Sequence, residues 1–332
     1  MIAEPAAGMQ RRDWRQALRE AVTRPEELLE MLGLESSRLG YPGGAGFRLR
    51  VPRGYVARMR HGDPDDPLLR QIWPAAAEDA GREGFVADPV SDLAFERAPG
   101  LLQKYAGRAL LVAHGACAVH CRYCFRRHYP YAGHSAGGPA LDAAIAALAA
   151  DPGMTEVILS GGDPLLAEDA VLGALVRRVE ALPQVRRLRI HSRLPVVLPE
   201  RIDSGLCRLL SGSRLQAVVV LHANHANEID GAVAGAAACL RAAGITLLNQ
   251  SVLLRGVNDD PAALAALSEV LFGAGVLPYY LHALDPVQGA AHFAVSDDRA
   301  RAIHAALRAR LPGYLVPRLV REIPGADAKT PL

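Results

Sequence analysis

Lysine is nearly absent from this 332-residue chain. Lysine and arginine together number 37, but only Lys104 and Lys329 are lysines. An arginine supplies positive charge as well as a lysine does, but its guanidinium stays protonated and does not attack a carbonyl carbon. The two lysines are therefore candidates for amine chemistry, and the alternative for each is survival by chance.

Other features are missing as well. No apolar run reaches the roughly 18 residues of a membrane-spanning helix, and residues 1–12 contain no apolar segment typical of a signal peptide. The formal net charge is only +2, which gives no indication of a nucleic-acid or membrane surface. With 50% hydrophobic and 22% charged residues, the composition is that of an ordinary soluble globular protein. The length fits about two domains or one α/β barrel.

Cysteine is scarce, yet three of the five cysteines are crowded into one short segment. Cys117, Cys121 and Cys124 lie within eight residues, whereas Cys207 and Cys239 are isolated in apolar surroundings. Zinc sites usually contain two separate cysteine pairs, and the sequence has no second pair. Three thiolates on a four-iron cluster leave one iron free for a substrate, so we predict such a cluster, in a reducing cytoplasmic compartment. The alternative is a zinc site completed by one histidine: His114, His120 or His128.

The pattern divides the chain into two main parts and a tail. Residues 13–35 are helix-like and Gly- and Pro-rich segments follow, so we predict an α-rich N-terminal region over 1–100. From residue 101, apolar β-rich runs alternate with helical segments. The runs are 108–113, 156–160, 187–191, 216–222, 246–254 and 278–284. They predict an α/β fold with a parallel sheet over 101–320, either an open barrel or doubly wound. Residues 321–332 form a C-terminal tail.

Polar residues follow the predicted strands, where parallel α/β folds place their sites. The glycines of Ser160-Gly161-Gly162-Asp163 let a ligand approach the backbone closely, and a tight turn is the alternative. His222 ends the fourth predicted strand and Gln250 lies in the fifth, and ordinary polar residues also occur at such positions. Asp285 either faces the barrel mouth or caps a helix. Lys329 follows a Pro-Gly turn, where its amine either reaches a cofactor aldehyde or lies in a solvated tail.

The cysteine spacing C-x₃-C-x₂-C, with an aromatic residue before the last cysteine, resembles the signature of the radical S-adenosylmethionine enzymes. The resemblance implies a partial (β/α)₆ barrel in which Cys117, Cys121 and Cys124 bind a 4Fe-4S cluster. It also implies that S-adenosylmethionine binds to the free iron and cleaves to a 5′-deoxyadenosyl radical. The residues that it places at S-adenosylmethionine are Tyr123, Ser160, Gly161, Gly162, Asp163, His222 and Gln250.

From about residue 84 to its end, the sequence resembles the lysine 2,3-aminomutase family. The segments that carry the resemblance are Gly100-Leu-Leu-Gln-Lys-Tyr-Ala-Gly-Arg108, Cys124-Phe-Arg-Arg127, Ser160-Gly-Gly-Asp-Pro-Leu165, Asn249-Gln-Ser-Val-Leu-Leu-Arg255, Pro278-Tyr-Tyr280 and Pro324-Gly with Lys329. The resemblance implies a Schiff base between Lys329 and pyridoxal 5′-phosphate, whose phosphate lies near Lys104, Tyr105 and Arg108. Arg126 then pairs with the carboxylate of L-lysine, and Asp285 and Glu322 bind its distal ammonium. Glu322 replaces the family's usual aspartate, so the pocket differs in depth.

The sequence ends three residues after Lys329 and resembles the short branch of the family, which serves the (R)-β-lysylation of elongation factor P. That branch implies an isomerase that converts L-α-lysine to β-lysine. Its implied partners are L-lysine, a reduced flavodoxin or ferredoxin-type electron donor, and, through the pathway, elongation factor P and its lysyl ligase. We expect neither a nucleic acid nor a membrane among the partners. We do expect a second copy of the chain, in a homodimer.

Three alternatives remain open at this point. A glutamate-type aminomutase would need a basic or amide group in place of Asp285. A different radical enzyme would contain no pyridoxal phosphate. A structural zinc protein would use Arg122, Arg126 and Arg127 to bind nucleic acid, although the near-neutral net charge argues against it.

Overall fold

The computed structural model describes residues 13–39, 43 and 46–332. The chain first forms short helices: α1 (Trp14–Arg19), α2 (Pro25–Leu32), α3 (Ser36–Leu39), α4 (Arg53–Val56) and α5 (Pro67–Arg70). Asp13 caps α1 and Asp66 caps α5 by accepting backbone N–H bonds, which the first turn of a helix otherwise leaves unpaired. Trp14, Tyr55 and Trp73 are buried in one hydrophobic cluster with residues of the sheet. The N-terminal region therefore shares its core with the sheet.

A ten-stranded sheet forms the centre of the described chain, and its strands are adjacent in chain order. The strands are β1 (Glu96–Ala98), β2 (Leu101–Tyr105), β3 (Arg108–His114), β4 (Glu156–Gly161), β5 (Arg187–Ser192), β6 (Gln216–Leu221), β7 (Thr246–Val252), β8 (Leu277–His282), β9 (Arg318–Arg321) and β10 (Thr330–Pro331). Strands β3 to β9 are parallel, whereas β1, β2 and β10 pair antiparallel at the two edges. The six predicted strands are thus confirmed, and the sequence analysis missed the seventh parallel strand, β9.

Helices cover the outer face of the sheet. They are α6 (Pro139–Ala149), α7 (Asp169–Glu180), α8 (Leu194–Val197), α9 (Ser204–Ser211), α10 (Gly231–Ala242), α11 (Pro261–Gly273) and α12 (Asp297–Arg308). Asp203, Asp230, Asp260 and Ser296 cap four of them at the N-terminus. No helix in the described ranges is long and apolar enough to cross a membrane.

The sheet curves around a cavity. In β5, Leu188, Ile190 and Ser192 are buried, while the alternate residues Arg189 and His191 line the cavity, as the two-residue period of a strand requires. Residues of every strand from β2 to β8 line the same cavity, so one face of the curved sheet forms its wall. The fold is therefore α/β with a partial barrel, as predicted, and an α-rich N-terminal extension packs against it.

The C-terminal segment is part of the sheet. β10 pairs antiparallel with β9, and Leu332 N donates to Leu319 O at 3.2 Å. A positive φ of 80° at Gly325 lies in the connection between these strands, a conformation that glycine adopts without strain. The solvated tail that we considered as an alternative for Lys329 is not observed, because this hairpin directs the lysine side chain to the cavity.

Candidate active site

One cavity of about 430 Å³ contains the candidate site. The walls come from the inner face of the sheet, from the loop after β3 and from the C-terminal hairpin. All site residues predicted from the sequence line it: Cys117, Cys121, Cys124, Lys104, Tyr105, Arg108, Tyr123, Arg126, Ser160, Gly161, Gly162, Asp163, His222, Gln250, Asp285, Glu322 and Lys329. The fold thus brings together residues that are distant in the sequence, such as Lys104 and Glu322, which lie 218 positions apart.

The loop that carries the three cysteines is held in place by the N-terminal region. Arg122, which lies between the second and third cysteine, is fully buried and donates to Glu78 from Nε at 2.7 Å and from Nη2 at 2.5 Å. Arg127 donates to the same carboxylate at 2.6 Å. Arg126 is also buried. These three arginines are therefore not available to the phosphates of a nucleic acid, which was one alternative function.

The three thiols lie in a poorly solvated environment. Burial, followed by the neighbouring sulfurs, raises the pKa of Cys124 to about 11 and raises that of Cys117 well above its usual value. Cys121 accepts a hydrogen bond from Nη1 of Arg193 at 2.6 Å. Within the described ranges, no three Cys, His, Asp or Glu side chains converge on a single metal ion. In a four-iron cluster each thiolate binds a different iron, so such convergence is not required.

The two glycines after β4 allow close packing against the cysteine loop. A Cβ on Gly162 would lie 2.4 Å from the carbonyl oxygen of Ala116, and Gly161 has a φ of 122°. The side chain of Asp163 is buried and accepts N–H bonds from Arg193 at 2.8 Å and from Leu194 at 3.1 Å. Burial raises the pKa of Asp163 to about 6. This segment therefore fixes the end of β4 to the cysteine loop and to the end of β5.

Neutral histidines form the part of the wall between β5 and β8. Gln250 donates from its amide to Nε2 of His222 at 2.7 Å. Burial and the nearby arginines lower the pKa of His222 to about 3, and burial and Lys329 lower that of His282 to about 3. The ring of His191 packs edge-on against His222, and its Nε2 is buried without a partner among the described residues. A ligand with a polar group is able to satisfy this nitrogen.

A chain of alternating charges runs across the cavity. Lys329 Nζ lies 2.5 Å from one oxygen of Glu322, and Lys104 Nζ lies 2.8 Å from the other. Lys104 also lies 2.7 Å from Asp92, whose second oxygen accepts from Nε of Arg126 at 2.6 Å. Asp92, the first residue of a short 3₁₀ helix (Asp92–Phe95), was not predicted as a site residue because it belongs to no recognisable motif. Its burial between two cations becomes evident only in three dimensions.

This arrangement differs in two respects from the roles that the family resemblance implies. Lys104 also donates to the carbonyl oxygen of Val90 and to Glu322, each at 2.8 Å, and forms an ion pair with Asp92 at 2.7 Å, so three oxygens of the protein already surround its ammonium group. Glu322 is neutralised by both lysines, which lower its pKa to about 2 against the opposing effect of burial. In this state it does not present a free negative charge to a substrate ammonium.

Asp285 does present a carboxyl group to the cavity. Removal from water, and then the negative charge of Glu322, raise its pKa to about 7. The following residues form a turn and a bridge between Val86 and Val287, so the alternative role of a helix cap is not observed. In the same cavity, Arg108 packs on the ring of Tyr105 at 4.5 Å, and the hydroxyl of Tyr105 is buried without a partner among the described residues. That hydroxyl and Asp285 are both unsatisfied groups at the cavity wall.

Arg126 retains free hydrogen-bonding capacity. Its Nε donates to Asp92 and its Nη1 to Ser160 at 3.2 Å, while Nη2 donates to no acceptor among the described residues. The side chain packs on the ring of Phe125 at 4.6 Å. A guanidinium held in this way can offer its remaining N–H groups to a carboxylate.

The chain is similar to known proteins along nearly its whole length. Residues 106–188 match the family described as "4Fe-4S single cluster domain". The chain is 51% identical to L-lysine 2,3-aminomutase of Escherichia coli (strain K12), over 97% of this chain and 95% of that protein. It is 34% identical to L-lysine 2,3-aminomutase of Clostridium subterminale, over 96% of this chain and 77% of that protein. The predicted resemblance to the shorter members of this group is thereby confirmed.

A solved structure was also matched, at lower similarity. The crystal structure of a radical SAM methyltransferase from Sphaerobacter thermophilus has a TM-score of 0.49 and 19% sequence identity to this chain. The match covers 67% of this chain and 68% of the other.

Proposed function

Because the chain belongs to the L-lysine 2,3-aminomutase family, we propose that it moves the α-amino group of L-lysine to C3 and so forms β-lysine. The proposed cofactors are a 4Fe-4S cluster, S-adenosylmethionine and pyridoxal 5′-phosphate. When bound, the cluster and S-adenosylmethionine supply a hydrogen-abstracting radical, and pyridoxal phosphate carries the amine during its migration. The observation that carries the proposal is that the cysteine loop and both lysines of the chain line one cavity.

The donor set at the cysteine loop fits an iron–sulfur cluster. Cys117, Cys121 and Cys124 offer three soft ligands on the cavity wall, and soft thiolates favour iron–sulfur clusters over hard cations. The raised pKa values of Cys117 and Cys124 mean that the thiols need a positive centre to become thiolates, which a bound metal supplies. Tyr123, the glycine segment at 160–163, His222 and Gln250 are the residues that we propose to contact S-adenosylmethionine.

The opposite side of the cavity fits pyridoxal phosphate. Lys329 is the amine that we propose to attach to the aldehyde, and it lies 5.9 Å from the ring centre of Tyr280. The unpaired hydroxyl of Tyr105 and the guanidinium of Arg108 are free to donate to a phosphate. We propose a supporting role for Lys104: it holds Asp92 and Glu322 in place, and it approaches the phosphate only if these contacts rearrange.

Substrate selection rests on groups at two ends of the remaining space. Nη2 of Arg126 is available to the carboxylate of lysine, and Asp285 is available to its distal ammonium. Glu322 joins Asp285 in this task once Lys329 moves to bind the cofactor. A glutamate substrate would place a second carboxylate against Asp285, which like-charge repulsion opposes. This contact favours the lysine-type over the glutamate-type reaction.

We assign the parts of the chain accordingly. We propose that the region 1–100 supports the cysteine loop through its described residues, since Glu78 binds both Arg122 and Arg127. Residues 101–320 form the barrel wall. Residues 321–332 bring Lys329 to the cavity through the pairing of β9 with β10.

Anaerobic turnover tests the proposed reaction. The reconstituted protein, with S-adenosylmethionine, pyridoxal phosphate and a reductant, is incubated with labelled L-lysine, and the product is identified by mass and by chiral chromatography. We expect β-lysine, and labelled glutamate should not react. Formation of no β-lysine by a protein with a full complement of cluster and pyridoxal phosphate would contradict the proposal.

A second experiment tests the pyridoxal phosphate site without relying on activity. Borohydride reduction of the loaded protein should fix a pyridoxyl group on the peptide that contains Lys329, and peptide mass mapping detects it. Lys329→Ala should lose this label, whereas the cluster absorbance should be retained. A label on another residue in the wild-type protein would exclude Lys329 as the attachment site.

The cysteines offer an internal control for the cluster. Alanine replacement of Cys117, Cys121 or Cys124 should lower bound iron and sulfide, measured after anaerobic reconstitution. The double replacement of Cys207 and Cys239, whose sulfurs lie 3.0 Å apart between α9 and α10, should leave both unchanged. Zinc in place of iron and sulfide in the wild-type protein would favour the structural zinc alternative.

We further propose that the β-lysine is used to modify elongation factor P in the cytoplasm. The support is the near end-to-end match to the shorter relative. In a coupled assay, the reaction mixture is supplied to the lysyl ligase of elongation factor P, and intact mass measures transfer of one β-lysyl group. Omission of this protein should leave elongation factor P without a β-lysyl group, which chromatography of the hydrolysed product distinguishes from an α-lysyl group of the same mass. A reduced flavodoxin or ferredoxin is the proposed electron donor. We also propose a homodimer, which light scattering tests by measuring the molar mass in solution.

A further inference from the structure

Arg193 lies directly behind the cysteine loop. It follows β5 and is buried, with 6% of its surface exposed. Its Nη1 donates to the sulfur of Cys121 at 2.6 Å, and its guanidinium carbon lies 5.5 Å from the ring centres of both Tyr55 and Tyr123. Arg193 is thus the cation in direct contact with one of the proposed cluster ligands.

A set of buried acceptors holds this guanidinium in one orientation. Nη2 donates to Glu228 at 2.9 Å, to Gln71 at 2.7 Å and to the hydroxyl of Tyr55 at 3.1 Å. The backbone N–H of Arg193 is bonded to Asp163. Because several elements of the fold fix the side chain, the N–H that faces Cys121 is pre-oriented and needs no rearrangement to act on its sulfur.

We infer that Arg193 is a positioning residue that orients Cys121 and raises the reduction potential of the cluster. The inference rests on the proposed cluster at Cys117, Cys121 and Cys124. An N–H bond to a ligand sulfur withdraws negative charge from it, and a buried cation stabilises the more negative, reduced cluster. Glu228 opposes this effect because its carboxylate neutralises part of the guanidinium charge. The reduction potential is therefore set by the balance between the two side chains.

Redox titration of the reconstituted holoprotein measures the effect. The cluster is titrated with dithionite, and its paramagnetic reduced form is followed by EPR spectroscopy. Arg193→Gln should shift the redox equilibrium toward the oxidised cluster by at least tenfold. For a one-electron couple, a tenfold shift lowers the reduction potential by about 59 mV. Arg193→Lys keeps the charge but loses the planar fork, so its potential should lie between those of the wild type and Arg193→Gln.

Arg58 provides a matched control. Its guanidinium also packs on Tyr55, at 5.3 Å, and donates to the carbonyl oxygen of Glu228 without contacting Cys121. Arg58→Gln should change the equilibrium between the oxidised and the reduced cluster by no more than a few-fold relative to the wild type. A shift as large as that of Arg193→Gln would show that any nearby cation has the same effect and would overturn the role of the contact.

Glu228→Gln tests the inference with Arg193 left in place. Loss of the counter-charge should move the potential in the opposite direction, toward easier reduction. If the Arg193 variants take up no iron, the reduction potential of Glu228→Gln still tests the inference. Arg193→Gln and Glu228→Gln proteins that carry full clusters with the wild-type potential would overturn the inference. Absence of iron and sulfide from the wild-type protein would instead contradict the proposed cofactor, so the two failures are distinguishable.

Discussion

Replacement of Asp285 by asparagine separates the energetic cost of a buried carboxylate from its use in binding. The pKa of Asp285 is raised from 3.8 to about 7 by removal from water and by the charge of Glu322. Without a ligand, the ionised carboxylate is therefore unfavourable, whereas an ammonium group in the cavity would stabilise it. We expect Asp285→Asn to stabilise the cofactor-free protein and to weaken the binding of lysine.

The size and sign of the effect follow from the two pKa values. A rise from 3.8 to about 7 is about three units, or about 4 kcal/mol at 1.36 kcal/mol per unit. Between these values the unfolded chain is ionised while the native side chain is protonated, so wild-type stability falls as the pH rises and then levels off. The advantage of the non-titrating asparagine should grow from near zero below about pH 4 to at most about 4 kcal/mol above about pH 7.

Urea unfolding of the cofactor-free proteins measures this advantage. It should be larger at about pH 8 than at about pH 5 by roughly 2.7 kcal/mol. Asp298→Asn is the control, because that side chain is 96% exposed and should show no such growth. In turnover assays, Asp285→Asn should raise the KM for lysine. Equal advantages at both pH values, or an unchanged KM, would refute the reasoning.

The remaining predictions concern the supports of the site. Glu322→Gln should destabilise the protein by up to about 3 kcal/mol at neutral pH, because the pKa of Glu322 is lowered from 4.5 to about 2. Thermal unfolding should show that this loss of stability becomes smaller as the pH falls from about 4.5 toward 2. Gly162→Ala should reduce iron uptake, since its Cβ would collide with the cysteine loop, whereas Gly137→Ala, with open space around it, should not. Arg122→Met should lower the free energy of unfolding in urea by about 3–5 kcal/mol, because the carboxylate of Glu78 loses its closest partner. A loss below about 1 kcal/mol would show that Arg127 alone is enough to pair with Glu78.

The strands of the barrel could be predicted because each is rich in apolar, β-forming residues, either as a nearly continuous run, as in β6, or in alternation with polar residues, as in β5. The four-residue β9 and the two-residue β10 escaped prediction because Arg-Leu-Val-Arg and Thr-Pro are too short to show a period. Their pairing nevertheless decides where Lys329 lies. Local pattern thus predicts the elements of the wall, whereas the hairpin that completes the site depends on contacts with β8 that no local pattern contains.

Charge placement was even less accessible from the sequence. The two lysines could be singled out by their rarity, but their common counter-ion could not. Lys104 and Glu322 lie 218 residues apart in the chain, and Asp92 carries no motif. Tertiary structure alone shows that each lysine is partly buried next to an acid, which offsets the cost of removing its ammonium group from water.

The alternating chain of charges gives the cavity an electrostatic preference. Lys329, Lys104 and Arg126 contribute three positive charges, and Glu322 and Asp92 contribute two negative ones, so one positive charge is left over. Below about pH 7 Asp285 is neutral in the empty cavity and leaves this excess in place. The excess favours anionic groups such as a phosphate or an α-carboxylate. An ammonium group on the same substrate would stabilise the ionised form of Asp285. A substrate with a positive and a negative group is therefore favoured over one that is only negatively charged.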